Sequence, residues 1–234
     1  MITEDAIRRL AESLGADLVG FADVSCLPSQ VTNGLARAIS IGVALDPTVI
    51  REIESGPTLR YFAEYNRANA LLDQLSSQVA AAIEGGGHKA RAFQPTSEQV
   101  DKATLTATLQ HKTVATRAGL GWIGKSGLLV TKEYGAAVRL ASVLTDAPLA
   151  VGEPTNAANC GDCHRCVDRC PAQAVAGGVW QPGVARDHLY NAAACFVKAR
   201  EFAKQNGVQA TICGVCIHAC PWTQRYLARE SREH

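Results

Sequence analysis

The sequence predicts an α+β protein in two parts, residues 1–150 and residues 151–234. Three observations carry that expectation. Helix-period and strand-type segments mix through the front part, with no low-complexity tract. Eight of the nine cysteines fall after residue 150. Between the two parts runs Asp146-Ala-Pro-Leu-Ala-Val-Gly-Glu-Pro-Thr-Asn156, whose two prolines and glycine mark a seam.

Thr3 followed by Glu4 and Asp5 caps a first helix that should run to about residue 14. Ala16 to Ala22 reads as a strand, and Ala38 to Leu45 is an apolar run suited to a buried one. Leu59 to Glu84 repeats apolar residues at three-to-four spacing, which predicts a long helix closed by Gly85-Gly86-Gly87. Ala90 to Phe93 is a short strand and Lys102 to Arg117 a helix. Leu128 to Thr131 and Val138 to Leu144 are rich in strand-favouring residues. In the tail, Asp187 to Gln205 reads as a helix that carries Cys195.

Bulk numbers exclude several classes. Apolar residues make up 47% of the chain and the net charge is +1, which suits a folded chain and not a strong nucleic-acid footprint. No apolar run is long enough to span a bilayer, so no membrane partner is expected. The opening residues form an amphipathic helix pattern and not a secretory signal, which points to the cytoplasm.

Seven tail cysteines form two related runs. Cys160-Gly-Asp-Cys163-His-Arg-Cys166-Val-Asp-Arg-Cys170-Pro171 has the C-x2-C-x2-C-x3-C-P spacing of bacterial two-cluster ferredoxins. Cys213-Gly-Val-Cys216-Ile-His-Ala-Cys220-Pro221 repeats its last three cysteines, and Cys195 stands between them. Eight thiolates are what two 4Fe–4S clusters require. Two residues between ligands let a tight loop wrap a cubane, while the fourth ligand comes from elsewhere. In the ferredoxin arrangement the last cysteine of each run serves the other cluster. The expected sets are therefore Cys160, Cys163, Cys166 and Cys220, then Cys213, Cys216, Cys170 and Cys195. Pro171 and Pro221 fit the opening of a short helix beside each site. Disulfides suit a bunched, signal-less set poorly. Zinc explains four cysteines but not the paired x3-C-P tails. Cys26, the odd thiol, is expected to be buried and inert, and His164 and His218 to tune the sulfurs by hydrogen bonding.

Gly119-Leu-Gly121-Trp-Ile-Gly124-Lys125-Ser126 matches both the dinucleotide and the P-loop patterns. Both need a strand before and a helix after. Here a helical stretch precedes and Gly127-Leu-Leu-Val-Thr follows as a strand, so nucleotide binding is not expected. What remains is a structural turn, or a loop whose backbone lies against a large flat cofactor.

At this loop a family resemblance becomes specific. His111-Lys-Thr-Val-Ala-Thr-Arg-Ala-Gly-Leu-Gly-Trp-Ile-Gly-Lys-Ser-Gly-Leu-Leu-Val-Thr, Leu144-Thr-Asp-Ala-Pro-Leu149 and the split cysteine motif ending Cys-Pro-Trp222 resemble the epoxyqueuosine reductase family, related to corrinoid reductive dehalogenases. The likeness includes the opening Leu-Gly-Ala-Asp-Leu-Val-Gly-Phe21. It implies a nitroreductase-like, corrinoid-binding α/β sandwich followed by a bacterial-ferredoxin-like two-cluster domain. It also implies an oxidoreductase that passes electrons through two 4Fe–4S clusters to a bound cobalamin and then to a small-molecule substrate. A plain electron carrier and a reductase of the corrinoid itself are the alternatives. A low-potential donor such as a ferredoxin or flavodoxin would supply the electrons.

Against the corrinoid the resemblance sets Arg67, Gly121, Trp122, Gly124, Lys125, Ser126 and Leu129. His111 stands where a proton donor could sit, or is a core or helix-surface histidine. Lys125 and Arg67 have solvated or ion-paired alternatives, and Trp122 could equally fill a core. The chain also departs from the family. Arg67-Ala-Asn-Ala-Leu-Leu72 keeps only the arginine of an Arg-Gly-x-Asp-Tyr-His stretch, and Leu105 stands at the register of the family's aspartate, with Asp101 nearby. The sequence stops soon after Trp222, without the family's helical-repeat tail. These departures argue against tRNA as a partner.

Overall fold

Thr3 caps the first helix as its sequence asks, its Oγ1 accepting from the Ala6 amide at 3.2 Å. A computed structural model describes residues 2–95, 100–101 and 104–230. In chain order its elements are α1 (Glu4–Ser13), β1 (Leu18–Asp23), α2 (Ser29–Thr32), β2 (Arg37–Ala44), α3 (Pro47–Arg51) and α4 (Leu59–Gly85). Then come β3 (Ala90–Phe93), β4 (Val100–Asp101), β5 (Thr106–Ala107), α5 (His111–Arg117), β6 (Trp122–Ile123), β7 (Leu129–Val130) and β8 (Val138–Thr145). The tail holds α6 (Arg165–Asp168), α7 (Arg186–Leu189), α8 (Ala192–Asn206), α9 (Val215–Ala219) and α10 (Pro221–Glu230). The mixed helix-and-sheet class is the one expected.

The chain divides into two compact units, each assembled from separate segments. The first comprises Met1–Val43, Ala68–Leu120 and Arg139–Thr155. Its sheet runs β1-β2-β8-β3. β1 pairs antiparallel with β2, Val19 opposite Ile41, and β3 antiparallel with β8, Ala92 opposite Val143. β2 is buried from Ala38 to Val43, which is why it reads as a continuous apolar run and not as an alternating strand. Ala22, Val24, Leu35, Val114 and Leu144 share one core cluster that seats α5 against the sheet.

Three expected elements differ from what forms. The helix predicted over 102–117 exists only as α5; before it, β4 and β5 make a two-stranded ribbon with Asp101 opposite Thr106. Leu105 adopts φ +53 and its amide donates to the Asp101 carbonyl at 2.7 Å, a tight reversal that breaks any helix. Lys102 lies outside the described residues. The helix predicted over 187–205 is interrupted at Tyr190, which is extended and bridges Val175. Asn191 then caps α8, its side chain accepting from the Ala194 amide at 3.0 Å. Pro171 opens a turn and not a helix, whereas Pro221 does begin α10.

The second unit comprises Ala44–Arg67, Gly121–Val138 and Asn156–His234. The first two of these segments lie within the expected front part, yet packing groups them with the cysteine-bearing tail. The fastenings are specific. The Tyr226 hydroxyl donates to the Leu45 carbonyl at 3.0 Å, and the Arg51 guanidinium donates to the Leu227 carbonyl. The Ala136 amide donates to Thr223 Oγ1 at 3.0 Å, and Tyr134 meets Tyr226 edge-on at 5.3 Å. α3, α9 and α10 pack on one another, and α9 also packs on α6. The last passage from the first unit to the second lies at Thr155 and Asn156.

Candidate functional site

Short helices and their flanking turns carry the cysteines of the second unit. Cys166 lies on α6 with Cys170 just beyond it, Cys216 lies on α9, Cys220 caps that helix, and Cys195 lies in the first turn of α8. None of the eight is in a disulfide, and all are partly buried. Backbone donors meet several of the sulfurs. The Ala174 amide reaches Cys170 Sγ at 3.3 Å. Amides of Trp222 and Thr223, in the first turn of α10, serve Cys220, and that of Val215 serves Cys213.

The thiols influence one another mainly in two groups, with Cys216 also feeling Cys166 across them. Burial first, then Cys160, Cys220 and Cys163, pushes the Cys166 thiol up to about 11. Cys220 is raised by burial and feels Cys160. Cys195 is raised by burial and by Cys170, and Cys213 by burial and by Cys195 and Cys170. Cys216 is raised by burial, then by Cys213, Cys195, Cys166 and Cys170. Cys220 thus sits in the field of the first run, and Cys170 in the field of the second run and Cys195.

Cys160, Cys163, Cys166, Cys216 and Cys220 border a cavity of about 250 Å³. Among the described residues, no three His, Cys, Asp or Glu side chains converge closely enough for a single metal ion. The sulfurs therefore ring a void and do not meet at a point.

The glycine segment forms a β-hairpin, with Ile123 opposite Leu129, so the strand-then-helix order of a nucleotide loop is absent. Gly121 is required by close approach, since a Cβ there would stand 2.2 Å from the Val130 carbonyl oxygen. Trp122 is fully buried, edge-on to Trp222 at 5.0 Å, and among the described residues its Nε1 has no hydrogen-bond partner. Leu129 is buried in the hairpin. Gly124, Lys125 and Ser126 instead border the cysteine cavity. Arg67 donates through Nε and Nη2 to Glu64, each at 2.7 Å, and buried Glu64 in turn accepts from the Asp46 amide at 2.8 Å. Arg225, which sequence reasoning missed, lies over Trp222 at 4.5 Å; the i, i+3 spacing on a helix opened by Pro221 was the available signal. His218 borders an open polar pocket with Glu54, Arg165 and Arg169, and not the cysteine cavity. The expectation for Cys26 fails. It is exposed, because it follows β1 in the turn closed by the Leu27 amide on the Val24 carbonyl.

Residues 159–223 match the model of the 4Fe-4S double cluster binding domain. The epoxyqueuosine reductase of Synechocystis sp. is 32% identical over 126 residues, covering 52% of this chain and 42% of its own. The chain is a relative of the epoxyqueuosine reductases. It spans less than half the length of the curated epoxyqueuosine reductases it matches. A reductive dehalogenase, solved in work on a mechanism for B12-dependent dehalogenation, shares the fold with TM-score 0.73 and 21% identity, over 97% of this chain and 33% of that one. An epoxyqueuosine reductase with a tRNA-Tyr epoxyqueuosine-modified stem loop shares it with TM-score 0.65 and 19% identity, over 94% of this chain and 65% of that one. The expectation that tRNA is not a partner is overturned by that structure and by the epoxyqueuosine reductase relatives. It rested on the departures at residues 67–72 and at Leu105 and on where the sequence stops, none of which says what the fold engages. Among the described residues no helix is long and apolar enough to cross a membrane.

In this relative His111 opens α5 with both ring nitrogens engaged. Nε2 lies 2.9 Å from the Gln94 carbonyl and Nδ1 3.0 Å from Ser142 Oγ. A carbonyl only accepts, so Nε2 carries the proton and Nδ1 accepts from the serine. Neither nitrogen is left over for a substrate in this arrangement. Burial first, with the Arg139 charge, lowers the pKa from 6.5 to about 4, against the pull of the Gln94 carbonyl. The unfolded chain therefore takes up a proton near 6.5 and the fold only near 4. Stability is complete above 6.5 and declines as pH falls towards 4. Urea midpoints at pH 7 and pH 5 should differ by about 1–2 kcal/mol more in the native protein than in His111→Gln. Equal pH slopes in the two proteins would refute this.

Proposed function

We propose that this chain is an iron–sulfur oxidoreductase that reduces a modified nucleoside carried by tRNA, through two 4Fe–4S clusters and a corrinoid. Cys160, Cys163, Cys166 and Cys220 would hold one cluster and Cys213, Cys216, Cys170 and Cys195 the other. The observation that carries the reading is the grouping of these thiols by mutual burial and charge, within the segment that matches a double cluster domain. The donor set fits the clusters. Soft thiols surround a void that is too small for a corrinoid, since pockets for sizeable ligands run to roughly 300–1,000 Å³. Burial and mutual repulsion oppose ionisation of the bare thiols, and metal charge reverses that sign. Amide donors to Cys170, Cys213 and Cys220 would stabilise and orient the ligating sulfurs. When bound, the clusters supply one-electron transfer, and the corrinoid supplies the reducing chemistry at the substrate.

For the corrinoid the support is the fold shared with a B12-dependent dehalogenase and the buried Trp122 Nε1, a donor without an acceptor among the described residues. Of the seven residues set against it, Lys125 and Ser126 retain polar groups beside the cysteine cavity. The tRNA-borne substrate is supported by the epoxyqueuosine reductase relatives. Thiolate-bound iron suits a reducing compartment, which supports the cytoplasm as the place of action.

Anaerobic purification should yield roughly eight irons and eight sulfides per chain, the content of two cubanes. Added hydroxocobalamin should be retained through gel filtration, seen in its visible spectrum. With a chemical reductant, the loaded protein should remove one oxygen from an epoxyqueuosine-modified stem loop, read by mass spectrometry. Zinc in place of iron would end the cluster reading. Full clusters and bound corrinoid with an unchanged stem loop would end the tRNA reading and leave reduction of the corrinoid itself.

A further inference from the structure

Lys125 is 4% exposed, and lysines are almost never fully buried unless paired. No carboxylate borders the cavity it lines; the anions available there are the sulfurs of Cys160, Cys163, Cys166, Cys216 and Cys220. The hairpin turn holds this loop in place. The Gly124 amide donates to the Leu128 carbonyl and the Gly127 amide to the Gly124 carbonyl, each at 2.8 Å. The loop also comes close to the thiols: a Cβ built on Gly124 would stand 3.6 Å from Cys160 Sγ. The other cation at the cavity, Arg225, is exposed and lies over Trp222, so solvent screens it.

We propose that Lys125 is the buried counter-charge of the cluster held by Cys160, Cys163, Cys166 and Cys220, and that it raises that cluster's reduction potential. The inference rests on the two-cluster reading above. Four thiolates leave a 4Fe–4S cluster net anionic, and reduction adds one more negative charge. A fixed cation in a low-dielectric wall stabilises the reduced form more than the oxidised form. The cluster held by Cys213, Cys216, Cys170 and Cys195 has only Cys216 at this cavity, so it should feel Lys125 less and each molecule carries its own control.

The test is an EPR-monitored redox titration of anaerobically prepared native protein, Lys125→Gln, Lys125→Met and Lys125→Arg, with iron measured in each. In the Gln and Met variants one potential should fall by at least the equivalent of a tenfold shift towards the oxidised form, about 59 mV for one electron. The second potential should stay in place, and Lys125→Arg should restore the first. Selective loss of one cluster from the Gln and Met variants, with the second cluster and the circular dichroism spectrum intact, would also support the role. Unchanged potentials at full iron content, equal shifts in both clusters, or collapse of both clusters together would overturn it. Native protein that binds no iron would instead sink the two-cluster reading itself.

Discussion

Replacing Cys220 with alanine should empty the cluster of the first run and spare that of its own run. Cys170→Ala should do the reverse. Each variant should lose about half of its roughly eight irons, because a cubane missing one of four thiolates is released or degraded. The expectation follows from the two groups of thiols: Cys160, Cys220 and Cys163 raise Cys166, while Cys170 raises Cys195 and Cys213. The decisive measurement is the EPR signal that survives reduction. Cys220→Ala should leave the same spectrum as Cys160→Ala, and Cys170→Ala the same as Cys213→Ala. If Cys220→Ala matches Cys213→Ala instead, the exchange of last ligands is wrong and each run holds its own cluster. Such a result would also remove Lys125 from the cluster proposed for it, since that assignment uses the same grouping.

Gly135→Ala should be among the most damaging single substitutions outside the cysteines. Gly135 adopts φ +57, and a Cβ there would stand 2.1 Å from the Thr223 amide nitrogen and 2.5 Å from the Trp222 carbonyl carbon. Those are backbone atoms at the start of α10, so no side chain can swing aside. The adjoining Ala136 amide donates to Thr223 Oγ1, which ties the same two segments together. We expect a loss of about 3–5 kcal/mol, overpacking against fixed backbone costing roughly 1–3 kcal/mol and a left-handed alanine adding about as much. Because Trp222 and Thr223 supply amide donors to Cys220, the variant should also shed the iron that Cys220 helps to hold. Denaturant midpoints and iron content of the purified protein report the two effects. A midpoint within about 1 kcal/mol of the native protein would show that the segments are not fastened here.

Local chemistry was readable from the chain. The Thr3 cap, the long α4, the strands at Arg37–Ala44 and Val138–Thr145 and the helix opened by Pro221 all formed near where residue type and spacing put them. Misreadings arose where one residue overrode a pattern. Leu105 in a left-handed conformation turned a predicted helix into a ribbon, and the extended Tyr190 split another. At the candidate site, the pairing of Arg67 with Glu64 lay within reach of sequence, being one helical turn apart. The hydrogen bonds of His111 were not, because Gln94 and Ser142 lie 17 and 31 residues away.

Cysteine identity and spacing alone named the type of inorganic cargo, since ligand chemistry is written in a few consecutive residues. Backbone propensity, likewise a matter of near neighbours, delivered the α+β class. Three-dimensional packing decided the rest: that residues 44–67 and 121–138 pack with the tail, and that Lys125 is buried beside thiols and not solvated. Contacts such as Leu45 with Tyr226 close loops of well over a hundred residues. No local pattern encodes which partner such a loop will find. The outcome depends on burial and hydrogen bonding summed over the whole folded chain.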